Sequence, residues 1–344
     1  MIYSLPKTNA NTNPLMTDKQ IQTLKNQAFK QLHPSKSTLL LTEEDLALIK
    51  RINAVVTFHN RNNLTRTQAY FDFYNKHPEI HWAFLAHLVS RNSGYYMTDL
   101  QTDFIKRMLS PVKHHAFFLF LERSNAAIFQ DAYAQLLLYE ASKIQKKNLF
   151  YLLSRFCVSS FMEPIWHDFL TNHNKHLLSI ALIINEQHHI EQKIIQHPHI
   201  KLDVIDTWQF YLQNVLGMTQ ILFPYYEHQT IALTGLKISY FKSVKNRIEA
   251  GKFLYSLLFF NDCLRTKIWR FTYTNKHTGS RSDYDPKSFS ANPANTQKTY
   301  SPTLSMCWGD RTHVFLNKGD WLQDFSSFHF LKALPVPPFI CYTE

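Results

Sequence analysis

Two polar residues interrupt an apolar stripe in the stretch that follows Pro111. Phe118, Glu122, Asn125, Phe129, Ala132 and Leu136 succeed one another at steps of three or four, so on a helix they share one face. Four of the six are apolar, and the face therefore reads as buried. A buried carboxylate must be paired, hydrogen-bonded or protonated. A partner is available upstream, where Ile80, Phe84, His87 and Arg91 share a second helical face. A guanidinium meets a carboxylate through two parallel hydrogen bonds. Arg91, or Arg66 from the preceding helix, is thus expected to pair with Glu122, with His87 and Asn125 close by. Two readings stand side by side: a polar pocket that binds or transforms a ligand, and a buried ion pair that locks the helices together.

A second candidate lies in His277-Thr-Gly-Ser-Arg-Ser-Asp-Tyr284. Gly279 lets the backbone turn its N–H groups toward an anion. Thr278, Ser280 and Arg281 add donors, and His277 or Asp283 offers an acid or base. The competing reading is a local turn in which Asp283 accepts backbone hydrogen bonds and pairs with Arg281. A third candidate is the basic stretch 237–270, with Lys242, Lys245, Arg247 and Lys252 at its centre and Tyr240, Phe241 and Trp269 among its cations. Nucleic acid is bound by cations on phosphates and rings on bases, although such a run is also what a solvated helix face looks like. Glu186-Gln-His-His189 is a single ExxH, whereas a di-iron bundle needs two and further glutamates. No metal site is expected. No phosphate-loop, nucleophile-elbow or other cofactor pattern is present.

Helices must position these groups. Thr42-Glu-Glu-Asp45, Thr65-Arg-Thr-Gln68 and Thr98-Asp-Leu-Gln101 resemble helix-starting boxes. They predict helices from Thr42, from Thr65 to about Lys76, and over Asp99–Leu109. Pro78 opens another, which Ser93-Gly94 should end. A long helix is expected over about 115–146, a further one over 148–157, and a short one from Pro164. Three more are expected at 176–196, 202–216 and 229–260. The last 74 residues hold six of fourteen prolines and three of seven glycines, and their apolar periodicity fades. The expected fold is all-α: a flexible leader and first helix (1–40), an irregular multi-helix body (41–270), and a largely non-regular segment (271–344) packed on it.

Composition narrows the class. Only 7 glycines occur, which disfavours dinucleotide-binding folds and many-turned β folds. The four cysteines, Cys157, Cys263, Cys307 and Cys341, form no CxxC pair, so zinc ribbons and thioredoxin chemistry fail on spacing. No signal peptide or apolar run of about 20 residues is visible, and the chain is expected to be cytoplasmic with no membrane span. The net charge of +11 suits an acidic protein or nucleic-acid partner without choosing between them.

The runs Asn63-Leu-Thr-Arg-Thr-Gln-Ala-Tyr70, His77-Pro-Glu-Ile-His-Trp-Ala-Phe-Leu-Ala-His-Leu-Val-Ser-Arg-Asn92 and Leu121-Glu-Arg-Ser-Asn-Ala-Ala-Ile-Phe-Gln-Asp-Ala-Tyr133 are similar to the YppC-like proteins, an uncharacterised family of Bacillus-type bacteria. Met97-Thr-Asp-Leu100 and Ile184-Asn-Glu-Gln-His-His-Ile-Glu191 fit the same family, and the resemblance covers the chain from about residue 40. It implies no activity and carries over no catalytic residue. Three functions are therefore carried forward. The first is a non-enzymatic binding or interaction protein. The second is an enzyme, perhaps a hydrolase, around His87, Arg91, Glu122 and Asn125. The third is a nucleic-acid binder.

Overall fold

The computed structural model describes residues 1–5, 11–32, 40–207, 220–238 and 242–338. Its helices are α1 (Asp18–Leu32), α2 (Glu43–His59), α3 (Asn63–Lys76), α4 (His81–Asp99), α5 (Asp103–Met108), α6 (Pro111–Gln145), α7 (Met162–Asn172), α8 (Lys175–Ile190), α9 (Val244–Phe259) and α10 (Asp262–Thr274). Most starts are chemically legible. Thr42 and Asp45 close a reciprocal capping box at α2. At α3 the cap is Asn62, three residues before the expected Thr65, and Thr65 instead returns the reciprocal bond from inside the helix. Ser110 caps α6, with Pro111 in its first turn, where a missing N–H costs nothing. The α8 helix is apolar on nearly all sides, as a central helix must be, and α4, α6, α7 and α9 pack around it.

The chain is mostly helical but not all-α. The helix expected over 229–260 is, in its first third, a strand. β3 (Gln220–Glu227) and β4 (Thr230–Lys237) form an antiparallel hairpin, and β1 (Ile2–Ser4) adds to β4 in parallel. Residues 230–237 carry Thr and Ile, which fit a pleated surface better than a helix. His228 turns the hairpin with a positive φ of 53°. Gly235 sits where a Cβ would meet the Ile221 carbonyl at 1.9 Å, so only glycine lets the two strands approach. The hairpin is tied to α4 by the Asn92 side chain. Its amide donates to the Leu222 carbonyl and accepts from the Leu222 N–H, both at 2.9 Å, as a neighbouring strand would.

Several boundaries also move. Gly94 does not end α4; the helix continues to Asp99. A Cβ at Gly94 would lie 2.5 Å from both Asn63 Oδ1 and His277 Nε2, so this glycine serves close packing and not chain reversal. Thr98 starts no helix; its hydroxyl donates to the carbonyls of Tyr95 and, at 2.6 Å, Gly279. The helix expected from there shrinks to α5. His77 caps the end of α3, and α4 begins only at His81. The stretch 148–157 is a 3-10 helix over Phe150–Phe156. The expected 202–216 helix shows a π-turn at Lys201–Ile205; residues 208–216 lie outside the described residues, as do Tyr240, Phe241 and Cys341.

The C-terminal segment lies across the helices. Trp308 stacks on Phe118 at 3.6 Å and donates to the Met97 carbonyl. Phe328 is fully buried against Phe161. The segment carries short regular pieces: β5 (Phe289–Ser290) beside β6 (Thr299–Tyr300), and β7 (Ala333–Pro335) paired with β2 (Thr12–Pro14).

Candidate functional site

The residues that the stripes single out separate into three places. Arg66 supplies the pairing with Glu122, at 2.5 Å, and Arg91 takes no part in it. Arg66 also donates to Asn60 Oδ1, and His313 donates to the other Glu122 oxygen at 3.3 Å. Both members of the pair are essentially inaccessible, with side chains 1% and 3% exposed. Burial pushes the Glu122 carboxyl up, but Arg66 and His313 outweigh burial and hold it below the usual carboxylate range. This cluster is sealed, and its three side chains line neither the cleft at His87 nor the cavity at Asn125. His313 comes from the C-terminal segment, about 190 residues away in sequence, where no periodicity pointed to it.

His87 and Arg91 line a separate cleft of about 280 Å³, together with Thr272 and His277. His87 Nδ1 meets the Thr67 carbonyl at 2.8 Å. Arg91 donates to the Asn275 carbonyl and the Tyr95 hydroxyl, and its guanidinium lies over the Phe271 ring. The 277–284 segment forms the closed turn of the competing reading, with one change: Arg281 pairs with Asp99 and not with Asp283. Asp283 accepts from the Thr278 N–H, the Thr278 hydroxyl, the Tyr95 hydroxyl and His277 Nδ1. The N–H groups of Ser280, Arg281 and Ser282 are satisfied by side chains of Thr278, Ser301 and Ser280. Three consecutive N–H donors that an anion would need are thus already in use. His277 Nε2 lies 3.1 Å from Asn63 Oδ1, and burial holds this imidazole down to about 4.

Asn125 belongs to neither cluster. It stands on the wall of the main cavity, about 680 Å³, and donates to Ser93 Oγ at 2.6 Å. Two helices present the walls. On α4, Leu85, Ala86, Val89, Ser93 and Tyr96 recur at helical spacing; on α6, Phe117, Leu121, Ser124, Asn125 and Ile128 do the same. Several of these residues are half-buried, because the surface they show faces the cavity. The amphipathic α5, with Phe104 and Met108 exposed, edges its mouth. Asp99 and Arg281, ion-paired, form a polar rim.

The half-buried Glu186 also lines this cavity, accepting from Trp82 Nε1 at 3.2 Å and from Gln187 Nε2 at 2.9 Å. Among the described residues no cation pairs with it. Burial raises its carboxyl to about 7. Asp131, buried on α6 and held by Gln135 and Asn185, is likewise raised to about 7, chiefly by burial. In the sequence Glu186 stands out only as the acidic member of an isolated ExxH. A lone carboxylate on a helix as apolar as α8 was the available signal.

The basic stretch does not form one face. Lys242 pairs with Asp206, and the buried Arg247 pairs with Glu191. Lys252 is buried, bonded to Glu249 and over the Phe330 ring. Lys245 remains exposed. Burial holds both the Arg247 and Lys252 groups below their usual values. Among the described residues no helix is long and apolar enough to cross a membrane.

Comparison with known proteins follows this geometry. No solved structure matches the chain significantly. An uncharacterized protein, YppC of Bacillus subtilis (strain 168), is 38% identical over 298 residues, which is 86% of this chain and 90% of that protein. The sequence profile of a family described as protein of unknown function (DUF2515) matches residues 58–338. That match spans α4, α6, α8 and α9, the helices that build the cavity, and the chain belongs to the DUF2515 family of YppC-like proteins.

Proposed function

We propose that this chain is a non-enzymatic cytoplasmic binding protein for an elongated apolar molecule with a small uncharged polar group. The observation that carries this reading is the cavity of about 680 Å³ between α4, α6, α8 and α9. Its volume falls in the range of small-molecule sites, and such sites are mostly apolar with a few placed polar groups. The polar groups here suit a neutral ligand. Arg247 is committed to Glu191, and Arg281 to Asp99. Glu186, raised to about 7 by burial, offers a carboxylic acid to a ligand hydroxyl or carbonyl. Asn125, Ser93 and Ser124 offer further neutral partners.

The test is titration with the neutral fluorophore N-phenyl-1-naphthylamine, whose emission rises on leaving water. Saturable enhancement is expected, with displacement by a long-chain alcohol. Ala86→Trp, which pushes a ring into the cavity from α4, should abolish the enhancement and leave the far-UV circular dichroism unchanged. Enhancement that persists in Ala86→Trp would place the probe elsewhere and sink the proposal.

A further inference from the structure

The cleft beside His87 and Arg91 is distinct from the apolar cavity and has an unusual inventory. Arg91 is only 2% exposed, yet its polar contacts are the Asn275 carbonyl and the Tyr95 hydroxyl. Among the described residues no carboxylate comes within ion-pair distance of it. A buried cation without a counter-charge is costly. Three buried side-chain atoms of residues that line this cleft also lack any hydrogen-bond partner: Arg91 Nε, His87 Nε2 and Thr272 Oγ1. Buried polar groups are nearly always satisfied, so three unpaired ones on a single cleft mark a place where something else supplies the partners.

Their chemistry defines that partner. Arg91 Nε–H is a cationic donor, and the Thr272 hydroxyl is a second donor. His87 is the opposite. Its Nδ1 faces a carbonyl and must carry the proton, so in the neutral ring Nε2 is an acceptor. Burial and the neighbouring Arg91 keep the ring neutral, well below its usual value. The complement is a small anion that also carries a hydrogen-bond donor. A carboxylate has the charge and no proton, and sulfate likewise. Exposed Gln68, Asp72, Asn75 and Lys276 stand at the rim, with Asp72 and Lys276 of opposite charge, so entry of an anion is not opposed by a net negative mouth.

We infer that the cleft formed by His87, Arg91 and Thr272 is a binding site for a protonated phosphate group, with Arg91 and Thr272 donating to its oxygens and its hydroxyl donating to His87 Nε2.

The experiment is calorimetric titration of the full chain near neutral pH with inorganic phosphate, methyl phosphate and sulfate. Phosphate should bind saturably. Sulfate should bind at least about tenfold more weakly, because it leaves His87 Nε2 unpaired beside a charged ligand. Methyl phosphate binding as well as phosphate assigns the site to a phosphate monoester; clearly weaker binding assigns it to the free ion. Thr272→Val should weaken phosphate about threefold or more. It should leave the unliganded thermal midpoint intact, since the hydroxyl makes no protein hydrogen bond to lose. No saturable phosphate signal by about 10 mM, equal affinity for sulfate, or unchanged affinity in Thr272→Val would overturn the assignment.

Discussion

Replacing Glu186 by Gln tests whether the floor of the cavity is dry. In the folded chain this carboxyl is raised from 4.5 to about 7, chiefly by burial, with the buried Asp131 adding to the rise. A carboxyl raised by folding binds its proton more tightly in the native state than in the unfolded chain. Its contribution is therefore most favourable below the unfolded value, near 4.5, and is lost as pH climbs to about 7. At roughly 1.36 kcal/mol per pKa unit, the full penalty above that pH is about 3 kcal/mol. Gln cannot ionise and escapes it. Urea unfolding of both proteins at mildly acidic and mildly alkaline pH measures the difference directly. Asp131 titrates in both proteins, so its own contribution largely cancels. The advantage of Glu186→Gln should grow by about 2 to 3 kcal/mol between the two conditions, a sizeable part of a typical folding stability. An advantage that stays constant with pH would mean that Glu186 ionises as if solvated, and would refute the dry-cavity reasoning.

Two further outcomes test the packing. Glu122→Gln should cost about 3 to 5 kcal/mol in denaturant unfolding, because it leaves the Arg66 guanidinium buried without its counter-charge; a change below about 1 kcal/mol would mean the pair is hydrated. Gly94→Ala should lower the thermal midpoint. The added methyl would meet Asn63 and His277 at 2.5 Å, and overpacking of about 1 to 3 kcal/mol outweighs a helix-propensity gain of about 1 kcal/mol. Gly309, with open space around its Cβ position, supplies the control, and its Ala variant should leave the midpoint nearly unchanged.

Local chemistry was readable where it acts over one turn. The Thr42 box and the α6 stripe each follow from neighbours three or four residues apart, and the structure places helices there, although α6 starts at Ser110–Pro111, four residues before the expected position. The stripe logic also found the buried Glu122 and offered Arg66 as one of its two partners. It failed where one local signal had two meanings. Gly94 reads as a helix end and is a contact glycine; residues 230–237 read as helix and are a strand.

By itself the sequence determined a mostly helical chain with polar groups on faces that should be dry, because periodicity and capping are short-range properties. Only the tertiary structure decided where those groups went. It sealed Arg66 with Glu122, opened a cleft at His87 and Arg91, and turned Asn125 toward an apolar cavity. Residues that share a helix face differ in fate according to what packs opposite. Here part of the opposing surface comes from far along the chain, His313 against Glu122 and Phe271 and Asn275 against Arg91, whose placement no local pattern encodes.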